Sequence, residues 1–399
     1  MTKKLDLRPS DLIGFSRLAS GGVAGVASVV EDTHSHIAFT SSSSPAHKLT
    51  AAITSLVYKN IRAVSGLIDR SLIAVQPMLP NANEQRVSRG REAIVAAVNG
   101  VLGDYLIRTN NPLAISMSLR HHGRPLEIER HALQTNLHPT GKILLLVHGL
   151  CLSDLQWKRK THDHGAALAR ELGYTPLYLH YNSGLHVSDN GRQFANFLET
   201  LLDQWPLPMQ ELTILGHSMG GLVARSAHHY GTEAGHDWPR HLRKLIFLGT
   251  PHHGAPLEQL GNWVDAALEV SPYTVPFARL GKIRSAGITD MRHGTLLEDD
   301  WKGRDRFAPG IDLRSPVPLP QNVQSYAIAA TRQPVGTSGS DSLGDGLVMV
   351  NSALGRHSKA EMTLGFDDSH QWIGYGMNHW DLLSHVTVYE QIRRWLSSE

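Results

Sequence analysis

The chain has 399 residues, 41% of them hydrophobic, enough for one large packed domain with additions or for two domains. Its formal charge of +2 is spread without long like-charge blocks, which argues against a nucleic-acid binder and against electrostatic attachment to an anionic membrane. The one cysteine, Cys151, excludes an intrachain disulfide and points to a reducing, cytoplasmic setting.

Residues 1–141 read as a helical N-terminal region. Lys3 and Lys4 are followed by Asp6 and Asp11 rather than by the compact apolar core and cleavage site of a signal peptide, and a poor signal peptide is the alternative reading. Pro9-Ser10-Asp11 is a helix start, and Leu12, Phe15, Leu18, Val23, Val26 and Val30 follow it. Leu18–Val30 is uncharged but rich in Gly and Ala, and it falls short of the roughly 20 apolar residues a membrane span needs. After the Ser-rich break Thr40–Pro45, the stripe Ile53, Leu56, Val57, Ile61, Val64, Leu67, Ile68, Leu72 and Val75 predicts a helix over Thr50–Val75. A second amphipathic helix carries Val87, Ile94, Val98, Val101, Leu102 and Tyr105. Such stripes usually face a core, and peripheral docking of these helices on a membrane or a partner is the alternative. Residues 113–140 hold strand-like pieces that lead towards a sheet.

From Lys142 strand-like and helix-like segments alternate, the signature of βαβ units around a mostly parallel sheet. Strands are expected at Ile143–Val147, Pro176–His180, Leu212–Leu215, Leu245–Leu248, Val323–Ala330 and Met362–Phe366. Helices are expected at Thr161–Leu172, Gln193–Leu202, after Ser218 and at Val386–Leu396. Residues 255–320 interrupt this rhythm and read as a cap insertion. Leu257, Leu260, Val264, Ala267 and Leu268 form a helical stripe there, and Trp263, Tyr273, Val275 and Phe277 add apolar bulk that suits either an apolar ester substrate or the core of the cap itself. Gly261, Gly281 and Gly287 would permit cap motion.

The chemistry centres on Gly216-His217-Ser218-Met219-Gly220. A bare G-x-S-x-G arises by chance roughly a quarter of the time in a chain with this much glycine, so the pattern needs context. Leu212, Ile214 and Leu215 precede it as a strand, and Leu222-Val223-Ala224-Arg225 follows as a helix, the setting of a nucleophile elbow. Acyl transfer by serine further needs a base, an acid and oxyanion donors. His379, in the loop before the last helix, is the base candidate, with His370 and His385 as alternatives. Asp345, in a Gly-Asp-Gly turn, is the acid candidate and Asp341 its competitor. The backbone amides of Leu150, after Val147-His148-Gly149, and of Met219 are the oxyanion candidates. His217 reads as packing beside the nucleophile. The 24 histidines include no H-E-x-x-H motif and no paired cysteines, so no metal or cofactor is assigned.

With these motifs in this order the chain resembles the α/β-hydrolase superfamily, in particular its bacterial lipase and esterase branch. Gly249-Thr250-Pro251-His252-His253-Gly254 is also similar to the glycosylphosphatidylinositol inositol-deacylase-like hydrolases. The resemblance covers roughly 142–399 and implies an α/β-hydrolase fold with a cap, a carboxylic-ester hydrolase activity and the triad Ser218, Asp345 and His379. It leaves thioesterase, lactonase and amide hydrolase activity on the same groups as alternatives, and a non-catalytic binding protein of this fold as another. In related secreted lipases an acid two residues after the catalytic histidine helps to hold calcium. Asp381 stands at that place, but no other residue of such a site is identified.

Overall fold

The computed structural model describes residues 8–20, 89–255, 285–305, 312–336 and 344–397. The expected helix over Thr50–Val75, the cap stripe from Leu257 to Phe277, the candidate hinges Gly261 and Gly281, and Asp341 lie outside these residues. Two compact units are present, 1–88 with 106–114, and 89–105 with 115–399.

In the first unit, helix α1 (9–20) starts where Asp11 accepts a hydrogen bond from the Arg8 N–H at 2.8 Å, which satisfies a donor at the helix start. Its Gly14 carbonyl accepts from Asn111 Nδ2, and the Arg17 guanidinium caps the carbonyls of Thr109 and Asn110.

In the second unit an eight-stranded sheet runs in the order β10-β9-β8-β7-β3-β6-β1-β2. The strands are β1 (Ser118–His121), β2 (Arg124–Pro125), β3 (Lys142–Val147), β6 (Thr175–His180), β7 (Glu211–His217), β8 (Leu242–Leu248), β9 (Gln324–Thr331) and β10 (Gln371–Tyr375), while β4 (Lys158–Arg159) and β5 (His162–Asp163) form a separate hairpin. β3 and β6–β10 are parallel, and β1 and β2 close one edge in antiparallel pairing. The sheet thus begins N-terminal of Lys142, with Leu119 of β1 opposite Leu179 of β6.

Along β3 successive side chains enter opposite cores. Ile143, Leu145 and Val147 join one and Leu144 and Leu146 the other, all fully buried. A strand buried on both faces reads as a continuous apolar run, which is why Ile143–Val147 shows no alternation in the sequence. On the first face lie helix α2 (Arg89–Arg108), which contributes Arg89–Tyr105 to this unit, α3 (Arg130–Asn136), α5 (Val187–Gln204) and α6 (Met219–Glu233). On the second lie α4 (His164–Leu172) and α9 (Val386–Ser397). Short α7 (Ala286–Asp290) and α8 (Val350–Ala353) sit in the connections.

Two elements differ from the sequence expectation for identifiable reasons. α5 begins at Val187, six residues before the expected Gln193, because its first N–H is accepted by Asp290, distant in sequence, at 2.8 Å. The last strand is Gln371–Tyr375 rather than Met362–Phe366. Leu364 and Phe366 are apolar because they pack from a loop onto the first core. Among the described residues no helix is long and apolar enough to cross a membrane.

Candidate active site

The parallel strands end together. Val147 pairs with Gly216, Gly216 with Phe247, Leu248 with Ile328 and Thr331 with Tyr375, so the loops after β3, β7, β8, β9 and β10 emerge at one carboxyl edge. In open parallel sheets that edge is where ligands bind.

Ser218 occupies the sharp turn between β7 and α6. Its φ of 58° and ψ of −127° are unfavourable for a residue with a side chain. The surroundings hold it there. Its N–H donates to the Leu248 carbonyl at 2.8 Å. A Cβ on Gly220 would lie 2.2 Å from the Val147 carbonyl oxygen, and one on Gly216 2.7 Å from the Gly221 backbone, so helix and strand approach only because both are glycine. Ser218 is fully buried, and its Oγ has no hydrogen-bond partner among the described residues. A buried polar atom left unpaired is uncommon and calls for an explanation, often a functional one.

The loop after β10 carries His379, whose Nδ1 lies 2.6 Å from Asp345 Oδ2. The other Asp345 oxygen accepts the N–H groups of Leu347 and Val348 at 2.9 and 2.8 Å. The Asp345 carbonyl accepts from Arg332 Nε at 3.0 Å. Gly346, at φ 102°, lets the chain turn against that guanidinium. The carboxylate is therefore fixed on every side. His379 is placed by its own loop: Asn378 Oδ1 accepts the Trp380 N–H, and Asp381 accepts the Asn378 N–H. Asp381 thus ties the turn that presents His379, and it also lies 3.5 Å from Lys160 Nζ. A Cβ on Gly249 would lie 3.0 Å from His379 Cε1, so the loop after β8 borders the imidazole.

His217 is fully buried with its ring centroid 4.7 Å from that of His379, and its Nε2 lies 3.3 Å from the His379 carbonyl oxygen. Burial first, and the neighbouring His379 second, hold its pKa well below the usual imidazole range. It therefore stays neutral beside His379. His370 packs on Tyr326, and His385 bonds Thr387 at the start of α9, so neither joins this group.

The amides proposed as oxyanion donors come from two elements. Met219 opens α6, whose N-terminus favours negative charge. Leu150 follows Gly149, where a Cβ would lie 2.9 Å from Ser218 Cβ. Neither N–H donates to an acceptor among the described residues. The loop after β3 is tightly held: Tyr181 Oη donates to the His148 carbonyl at 2.7 Å, and the Cys151 N–H donates to Ser183 Oγ at 3.0 Å.

This is an α/β-hydrolase fold. Residues 138–312 match the family model of the PGAP1-like alpha/beta domain, a span that holds Leu150, Ser218 and Met219 and ends before Asp345 and His379. No curated protein matches the chain in sequence. Solved structures similar to it include the Bacillus licheniformis lipase BlEst2 in mature form, at 17% identity and a TM-score of 0.42 over 71% of this chain and 98% of that one. Aspergillus fumigatus lipase B matches at 13% identity and a TM-score of 0.40, over 69% of this chain and 59% of that one. EstA from Clostridium botulinum matches at 12% identity and a TM-score of 0.37, over 65% and 87%.

The α/β-hydrolase core also carries groups that the sequence reading did not single out. α2 crosses two loops on two glycines, Gly100 against Cys151 after β3 and Gly103 against Asn182 and Gly184 after β6. Their i, i+3 spacing was the available signal. Nearby, Glu92, Asp154 and His180 place ligand-type atoms within 4.8 Å of one another, the one such group among the described residues. Arg120 Nη1 lies 2.8 Å from Glu92 and 3.1 Å from Asp154, so a guanidinium already supplies positive charge to these carboxylates.

Proposed function

We propose that the chain is a serine carboxylic-ester hydrolase acting on an ester with an apolar acyl or alcohol part. One observation carries this reading: a strained, buried serine with an unpaired hydroxyl shares a sheet edge with an imidazole–carboxylate pair 2.6 Å apart.

The proposed steps follow from these groups. Ser218 Oγ attacks the acyl carbon as His379 Nε2 takes its proton. The carbonyl oxygen becomes an oxyanion that accepts hydrogen bonds from the Leu150 and Met219 N–H groups. Asp345 holds the His379 ring by Nδ1 and offsets the charge of the imidazolium. Collapse breaks the ester C–O bond, and the imidazolium gives its proton to the leaving alcohol. Water, deprotonated by His379, then attacks the acyl-enzyme and releases the acid and free Ser218. The Ser218–His379 hydrogen bond is expected to form in the substrate complex, as catalytic contacts often tighten only on binding.

Ser218→Ala should lower p-nitrophenyl butyrate hydrolysis by about 10⁴-fold or more, with an unchanged far-UV circular dichroism spectrum. A fluorophosphonate should label the parent and not the variant. Parent-like turnover by the folded variant would refute the assignment.

A further inference from the structure

The segment Gly249–Gly254 leads from the edge of His379 into a second, polar cleft that the proposed reaction does not use. The cleft is lined by Arg225, His252, His253, Asp300, Arg314 and Ser315, among others. Arg225 lies seven residues beyond Ser218 on α6, about 10 Å along the helix axis. Its side chain is almost entirely buried.

Arg225 has no carboxylate within ion-pair distance among the described residues. Among the described residues its guanidinium bonds neutral acceptors, the Val317 carbonyl through Nη2 and His252 Nδ1 through Nη1 at 3.2 Å, and its Nε has no partner there. Burial, and then the charge of Arg314, push its pKa down to about 9, so it remains a cation at neutral pH. Since His252 Nδ1 accepts from Arg225, its hydrogen sits on Nε2, a second buried donor without a partner. Burial and the Arg225 charge keep His252 neutral.

The carboxylates nearby are committed elsewhere. Asp312 is held in a fork by Arg314 at 2.8 and 2.9 Å, and Asp300 accepts the Ser315 N–H at 2.9 Å. Arg314 Nη1 also donates to the carbonyls of His252 and Gly294. Buried charges in folded proteins are ordinarily paired, and among the described residues Arg225 has no anionic partner.

We infer that this cleft binds an anion between Arg225 and Arg314. The cavity measures about 20 Å³. That is room for about one water-sized atom, so an anion would enter as a halide or by one terminal oxygen of a phosphate or carboxylate group. The anionic atom could belong to a free ion or to an acidic group on a ligand.

Crystals of the full chain soaked in sodium bromide locate the ion directly. An anomalous difference peak beside Arg225 and Arg314 is expected. In solution, inorganic phosphate at constant ionic strength should raise the Tm by at least about 2 °C, and Arg314→Gln should abolish that shift. A map without the peak, or a phosphate response unchanged in R314Q, overturns the site. The bromide map decides even where R314Q fails to fold. Kinetics then separate the two sources of the anion. If an acidic ligand group fills the cleft, R314Q lowers kcat/KM about tenfold more for a phosphate-bearing ester than for a neutral ester. If a free ion fills it, both esters respond alike.

Discussion

Ser218 is held at a positive φ where strand and helix approach so closely that a side chain on Gly216 or Gly220 would clash with backbone. The strain keeps its hydroxyl clear of the strand and helix that flank it. Asp345 differs in kind, because its carboxylate is held by two N–H groups and His379. Asp345→Asn retains the oxygen that accepts from Leu347 and Val348 and should therefore fold. It would stabilise the wrong imidazole tautomer. We expect kcat to fall by about 10⁴ with the Tm changed by only a few degrees, measured by ester hydrolysis and a thermal melt. A fall of less than tenfold would remove Asp345 from the proposed triad. Asp381, two residues after His379, ties a turn through the Asn378 N–H and lies near Lys160, which accounts for an acid there without a metal ion.

Helix α2 bears on the proposed oxyanion loop through close backbone approach. A Cβ on Gly100 would fall 2.2 Å from Cys151 Sγ and 2.8 Å from its Cα. Cys151 itself sits at φ 60° directly after Leu150. It cannot shift without moving the Leu150 amide. Gly100→Ala should thus cost about 1–3 kcal/mol of stability through overpacking and lower kcat more than it raises KM. Gly365→Ala is the control, since nothing lies within 4 Å of a Cβ there, and its effect should stay within about 0.5 kcal/mol. Equal kinetic effects of the two variants would sever α2 from the site. The Cys151 thiol is not an alternative nucleophile, because burial raises its pKa to about 12 and leaves it protonated.

The molecule as a whole carries buried groups whose titration sets its acid tolerance. His148 and His164 are fully buried, and burial lowers each pKa from 6.5 to about 4. Their unfolded forms bind protons first, so their contribution is complete above pH 6.5 and is lost as pH falls towards 4. Each is worth about 3 kcal/mol over that window. Asp154 acts in the opposite sense. Burial raises its pKa from 3.8 to about 6, against the pull of Arg120, so its folded form holds the proton longer. That term favours folding below pH 3.8 and is lost as pH rises through 6, again about 3 kcal/mol. Two histidines outweigh one aspartate between pH 6 and 4, so the Tm should drop as the solution is acidified. In Asp154→Asn the opposing term is gone, and the drop should steepen. A Tm independent of pH between 7 and 4.5 would show that these histidines are not buried as neutral groups.

How much of this was written locally follows from range. Continuous apolar runs such as Ile143–Val147 and the strand–turn–helix about Ser218 are short-range patterns, and both are legible in the sequence. The order of motifs along the chain named Ser218, Asp345 and His379 as candidates, but it could not show that Asp345 and His379 come within 2.6 Å across 34 positions. Other features were invisible for the same reason. The start of α5 depends on Asp290, the seat of Cys151 depends on Gly100, and the cleft at Arg225 depends on Arg314 and a carbonyl of Val317. Sequence patterns by themselves determined which segments would be strand or helix and which residue types could do acyl chemistry, because backbone periodicity and turn strain act over a few neighbours. Only the tertiary structure decided which charges are paired and which are left alone, because pairing is set by packing between segments that are distant along the chain.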